Sequence, residues 1–287
     1  MRLLPDRRPG AGPPAYVGVG TQGADTQWWC GMLREHPAID GPRAPRGSVS
    51  FFDQFCAREM TDADVAAYHA HFPQRPGVLS GEWTSRYIYD AWTPPLLRRA
   101  APEAKLLVLL VDPFERYVAR LKRERARAES GEDQPFMSDA ANRGRYGTQL
   151  RDLLAAFPRD QVLVLQNERC RLDPLGEYRR TLRFLGVDDG FVPRRLRRLA
   201  RGKTGPTPAL RAAHALGVPP GAKRQLRAWA RRRFRDRLPK PQPVELWPDL
   251  EAALHDLLDP EMALLRELEP EVDLSLWPAF SSVRRPS

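Results

Sequence analysis

The chain has 287 residues, of which 42% are hydrophobic and 29% charged, and carries a formal net charge of +10. This is the composition of a globular protein, not of a disordered or fibrous one. Its longest apolar run, Leu106 to Val111, falls far short of the roughly 20 residues that cross a membrane as a helix. Neither a membrane nor nucleic acid is the expected partner. The basic residues are nearly all Arg, beside abundant Ala and Pro, as a GC-rich coding sequence yields without selection for a binding patch. Three scattered cysteines, Cys30, Cys56 and Cys170, lack metal-ligand spacing and read as buried or semi-buried thiols of a cytoplasmic protein. Residues 1–14 have no apolar signal segment and are expected to be a disordered tail. A single domain should follow over 15–287, with an α/β core at 15–187 and a mostly helical region at 188–287.

In chain order, Ala15–Val19 is an apolar run, Gly20–Asp25 a glycine-bearing loop, and the segment from Thr26 an amphipathic helix with Trp28, Trp29, Met32 and Leu33. A strand, tight loop and helix in that order form an anion cradle in open α/β proteins, because free backbone N–H groups meet the helix N-terminus. A second short strand is expected at Val49–Phe52 and a helix from Thr61 to Phe72. A third strand is expected near Gly77–Ser80, with Gly81-Glu82-Trp83-Thr84 behind it. Pro94 opens a helix toward Ala101, and Lys105–Val111 reads as a central parallel strand buried on both faces. Asp112-Pro113-Phe114-Glu115 then starts a helix to about Arg127. A helix at Tyr146–Phe157, a strand at Gln161–Gln166 and a helix from Asp173-Pro174 to Gly186 complete the α/β pattern. Beyond it lie a basic helix, Arg224–Arg237, and two short helices, Asp249–Leu258 and Pro260–Leu268. Alternation with short links predicts a doubly wound parallel sheet flanked by helices.

The fragments VGVGTQGADTQWW, GEWTSRYIYDAWTPPLLRRAAPEAKLLVLLVDPFERY, YGTQLRDLLAAFPRDQVLVLQNERC and DLSLWPAF, in this order, resemble sulfotransferases that use 3′-phosphoadenosine 5′-phosphosulfate (PAPS). More narrowly, they resemble the bacterial branch related to heparan-sulfate sulfotransferases. The resemblance implies a P-loop-like fold and a first loop that wraps the phosphosulfate. It also implies an R-D-P-x-x-R-x-x-S element that grips the 3′-phosphate, and an acidic base after the third strand. Gly20, Gly23, Thr26 and Arg116 match cofactor-binding places, Glu82 the acid/base. Arg201 and Lys203 are further candidates for the cofactor. Val111 stands for the leading Arg and Ala119 for the trailing Ser; Gly23-Ala24-Asp25-Thr26 has no cation, and Gly47-Ser48-Val49-Ser50 replaces K-E-x-H.

These departures make a degraded PAPS site the leading expectation. A carboxylate about 4 Å from a bound anion costs roughly 4 kcal/mol at an effective dielectric of 20. Asp25 and Glu82 could then form a carboxylate pair for PAPS-independent acid/base chemistry on a small molecule. The plainer readings make Asp25 a helix cap, pair Arg116 with Glu115 or Glu124, put Trp28 and Trp29 in the core, and leave Glu168 a weaker site candidate. An active PAPS-dependent sulfotransferase is the alternative. A non-catalytic binding protein using the basic helix is a second.

Overall fold

The computed structural model of the chain describes residues 10–44, 48–129, 139–196 and 246–281. Five parallel strands form one sheet: β1 (Tyr16–Gly20), β2 (Ile39–Asp40), β3 (Leu79–Trp83), β4 (Lys105–Leu110) and β5 (Val162–Gln166). Their spatial order is β2-β3-β1-β4-β5. The chain leaves β1 toward one edge, returns, and crosses to the other side for β4, so the topological switch lies between β1 and β4. In open sheets of this kind a switch point at the carboxyl ends of the strands is the usual ligand position.

Helices cover both faces. In β4, Leu106, Val108 and Leu110 join Val17, Val19, Val162 and Val164 in a core closed by Tyr68, Leu97, Leu150 and Trp277. These come from α2 (Asp62–His69), α3 (Thr93–Ala100), α5 (Tyr146–Ala156) and the C-terminal segment. On the other side α1 (Thr26–Leu33) meets α7 (Pro174–Leu185) through Trp29 and Tyr178, whose ring centroids are 6.4 Å apart. The long helix α4 (Pro113–Glu129) follows β4, the short α6 (Asn167–Leu172) follows β5, and α8 spans Pro248–Leu268. Several starts follow from local chemistry: Thr61 and Asp64 form a reciprocal capping box on α2, and Asp173 accepts from Gly176 N at α7. No described helix is long and apolar enough to cross a membrane.

Three sequence expectations give way. Residues 10–14 are not a free tail: Gly12 N donates to the Phe72 carbonyl, Gln74 N to that of Gly10, and Gln74 Nε2 to that of Pro13. Val49–Phe52 is no strand; Phe51–Cys56 is a 3-10 turn that stacks Phe51, Phe52 and Phe55 on one another, with Phe51 and Phe52 also on Tyr68. The second strand is Ile39–Asp40, too short and too mixed to show periodicity. Pro260 does not split the C-terminal helix, because α8 runs on through it. Chain contacts group Met1–Pro193 with Trp247–Ser287 in one unit and Arg194–Leu246 in another. Arg201, Lys203 and the basic helix Arg224–Arg237 lie outside the described residues.

Candidate functional site

The loop after β1 is built from side-chain and backbone anchors. Thr21 donates both its N–H and its Oγ1 hydrogen to the Leu109 carbonyl, each at 2.8 Å, which ties the loop to β4. Asn167, the first residue of α6, donates through Nδ2 to the Ala24 carbonyl at 2.7 Å and ties it to β5. Between the anchors, Gly23 takes φ +95° and Asp25 φ +54°. Alternating backbone handedness of this kind turns successive N–H groups to one side. Among the described residues no acceptor meets the N–H groups of Gly23, Asp25 and Thr26.

Asp25 occupies the position before α1, but its side chain does not cap the helix. It turns to solvent, where Oδ2 accepts from Arg171 Nη2 at 2.8 Å; the two side chains are 63% and 66% exposed. The expected carboxylate pair with Glu82 is therefore not formed, since the two acids share no partner. Arg171, on α6, neutralises the charge expected to oppose an anion in the loop.

Glu82 lies within β3, opposite Val17, and not behind the strand. It is fully buried. Tyr68 Oη at 2.9 Å and Tyr87 Oη at 3.1 Å donate to Oε1; Val49 N at 2.9 Å and Thr84 Oγ1 at 2.6 Å donate to Oε2. Burial raises its pKa, and these four hydrogen bonds oppose the rise. Burial followed by the Glu82 charge holds both tyrosines well above their usual range, so they stay donors. The four donors join this carboxylate to the segment before Phe51, to α2 and to the turn after β3.

Arg116 is 6% exposed and pairs with neither Glu115 nor Glu124; Arg120 takes Glu124 instead, at 2.7 Å. Its stem runs under the first loop, such that a Cβ on Gly23 would stand 3.1 Å from Arg116 Cγ. Its Nη2 donates to the Ala140 carbonyl, while Nε is buried without a partner. Asp112 caps α4 as expected, Oδ1 accepting from Phe114 N at 2.8 Å and Glu115 N at 3.2 Å. Its own N–H donates to Glu168 Oε1 at 3.1 Å. Burial raises the Asp112 pKa to about 6 against those backbone bonds, with Glu168 and Glu115 adding to the rise. The other oxygens, Asp112 Oδ2 and Glu168 Oε2, are buried and unpartnered, as is the hydroxyl of fully buried Tyr146. That phenol is raised by burial, and Arg116 counters the rise.

The structure thus brings Gly20, Gly23, Thr26 and Arg116 to the β1/β4 switch point, together with Asp112, and sets Glu82 apart in its aromatic nest. Sequence reasoning missed Tyr146, Asn167 and Arg171. Asn167 and Arg171 were within reach, because a parallel sheet brings the residues that follow β5 to the same edge as those that follow β1 and β4.

No protein-family profile matches the chain. It is 27% identical over 188 residues to heparan sulfate glucosamine 3-O-sulfotransferase 3B1 of Mus musculus, covering 61% of this chain and 46% of that protein. It is 23% identical over 202 residues to bifunctional heparan sulfate N-deacetylase/N-sulfotransferase 3 of the same species, covering 62% of this chain and 23% of that one. The chain spans less than half the length of these relatives. Among solved structures, a sulfotransferase from Alicyclobacillus acidocaldarius superposes with a TM-score of 0.60 over 92% of this chain and 98% of its own, at 20% identity. The chain has the sulfotransferase fold and resembles sulfotransferases in sequence.

Proposed function

We propose that this sulfotransferase-fold chain is an enzyme whose pocket, at the carboxyl ends of β1, β4 and β5, performs acid/base chemistry on a small molecule without PAPS. The observation that carries the reading is the character of the unsatisfied atoms. A 3′-phosphate needs convergent donors at the start of α4. There the chain offers Val111 in place of Arg, an Arg116 whose Nη2 is spent on a backbone carbonyl, and two unpartnered carboxylate oxygens. The second cation at the loop, Arg171, is spent on Asp25. Among the described residues this set does not fit the cofactor's 3′-phosphate.

One observation favours the second reading, a working PAPS-dependent sulfotransferase. The unpaired N–H groups of Gly23, Asp25 and Thr26 are donors that would suit a phosphosulfate. Arg201 and Lys203 would then complete the cofactor site. Calorimetric titration with adenosine 3′,5′-bisphosphate separates the two. The proposed function expects no heat of binding at millimolar ligand, and micromolar binding overturns it.

A further inference from the structure

Two carboxylates from neighbouring strand ends approach each other without a cation between them. Asp112 belongs to the β4–α4 junction and Glu168 to the first turn of α6, and the Asp112 N–H donates to Glu168 Oε1 at 3.1 Å. Each keeps one buried oxygen with no partner. Buried polar atoms are left so only rarely, and each instance calls for an explanation. Three other groups converge on the same place. Tyr146, fully buried on α5, has a hydroxyl with no partner at full hydrogen-bond geometry; the Thr21 and Arg116 side chains lie near enough to act on it as hydrogen-bonding neighbours, and Asp112 acts on it through its charge. Arg116, on α4, keeps Nε unpartnered. Thr21 supplies a hydroxyl already committed to Leu109.

Resting on the acid/base reading above, we infer that Asp112 and Glu168 work as a carboxylic acid beside a carboxylate, and that with Tyr146 and Arg116 they bind an uncharged hydroxyl or carbonyl group of a small-molecule ligand. The inventory of unpaired atoms selects that class. Glu168 Oε2 is an acceptor, Arg116 Nε a donor, and the Tyr146 hydroxyl and a protonated Asp112 can each give or take a hydrogen bond. A phosphate or sulfate brings a negative charge that the Asp112 and Glu168 carboxyls oppose. A neutral hydroxyl satisfies a donor and an acceptor together, and a carbonyl takes the Asp112 proton in a hydrogen bond. The groups facing Asp112 agree: Glu115 and Arg116 lie on its own helix, Glu168 on α6 and Tyr146 on α5, and the two acids raise its proton affinity.

Infrared difference spectroscopy of the intact protein tests this, with Asp112→Asn as the blank. That variant keeps the cap on α4, because an Asn side chain accepts the same backbone bonds. The wild-type spectrum minus that of Asp112→Asn should contain a protonated-carboxyl C=O band that titrates near pH 6. In Glu168→Gln the midpoint should fall by about one unit, since a like charge has been removed. Acetamide, as a small carbonyl probe, should displace the band, whereas inorganic phosphate at the same concentration should leave it in place. No Asp112 band below pH 6, an unmoved midpoint in Glu168→Gln, no response to acetamide, or a response to phosphate alone each overturns the assignment. Failure here is distinguishable from failure of the proposed function: adenosine 3′,5′-bisphosphate binding with the Asp112 band intact removes only the latter.

Discussion

At the residue scale, four donors fix what Glu82 does. Removing its carboxylate leaves two buried tyrosine hydroxyls and the half-buried Val49 N–H without an acceptor, and leaves the Thr84 hydroxyl with Ser48 alone as acceptor. Glu82→Ala should lower the free energy of unfolding by about 3 to 5 kcal/mol in urea titrations; a loss below about 1 kcal/mol would mean that the nest reorganises without its centre. Asp112 predicts a pH dependence of opposite sense to an ordinary paired carboxylate. Its folded pKa, about 6, lies above its unfolded value of 3.8, so the native state holds the extra proton. Stability from this group is fully present below the unfolded value and is lost as pH rises through about 6. Relative to Asp112→Asn, the wild type should lose roughly 2 to 3 kcal/mol between acid and neutral pH. Equilibrium unfolding of both proteins at several pH values measures it, and a constant difference contradicts it. Asp112 and Arg116 were legible in the sequence because a cap and a spacing announce them. The Glu82 environment was not, because Tyr68 and Tyr87 carry no sign that their hydroxyls converge on one buried acid.

At the element scale, the helices with strong local signals formed where the sequence put them. Asp173 caps α7, and Gly186 ends it at φ +81°, a backbone that disfavours a side chain. Elements decided by distant packing did not. Phe51, Phe52 and Phe55 have strand-like propensity, yet they form a 3-10 turn in which Phe51 and Phe52 pack on Tyr68, Phe52 on Tyr87, and Phe55 on the other two phenylalanines. Pro260 reads as a helix break, yet α8 continues through it because the next residue anchors the helix. Glu261, itself buried, accepts from Thr148 N at 2.7 Å, Thr148 Oγ1 at 2.8 Å and Arg145 Nε at 2.9 Å, which joins α8 to the start of α5. Glu261→Ala should therefore destabilise the protein by about 2 to 4 kcal/mol and loosen α8 before the sheet. Thermal unfolding followed by amide exchange would show this as early opening of 248–268, and simultaneous loss of α8 and β4 would contradict it.

At the scale of the whole molecule, the order β2-β3-β1-β4-β5 sets both the position of the site and its resemblance to sulfotransferases. Loops from β1, β4 and β5 meet at one edge whatever residues they carry, so the fold was readable from strand alternation and a buried apolar run. The chemistry at that edge depends on substitutions and on partners far away in sequence. Val111 was visible there, whereas the pairing of Arg171 with Asp25, 146 residues apart, was not. The central claim is that a cofactor-shaped loop in this fold serves a pocket of acids. Hydrogen–deuterium exchange of segments 20–27 and 112–117, with and without millimolar adenosine 3′,5′-bisphosphate, tests it most directly. Exchange should be identical in both states. Protection of both segments by the nucleotide would place the cofactor at the first loop and the start of α4 and contradict that reading.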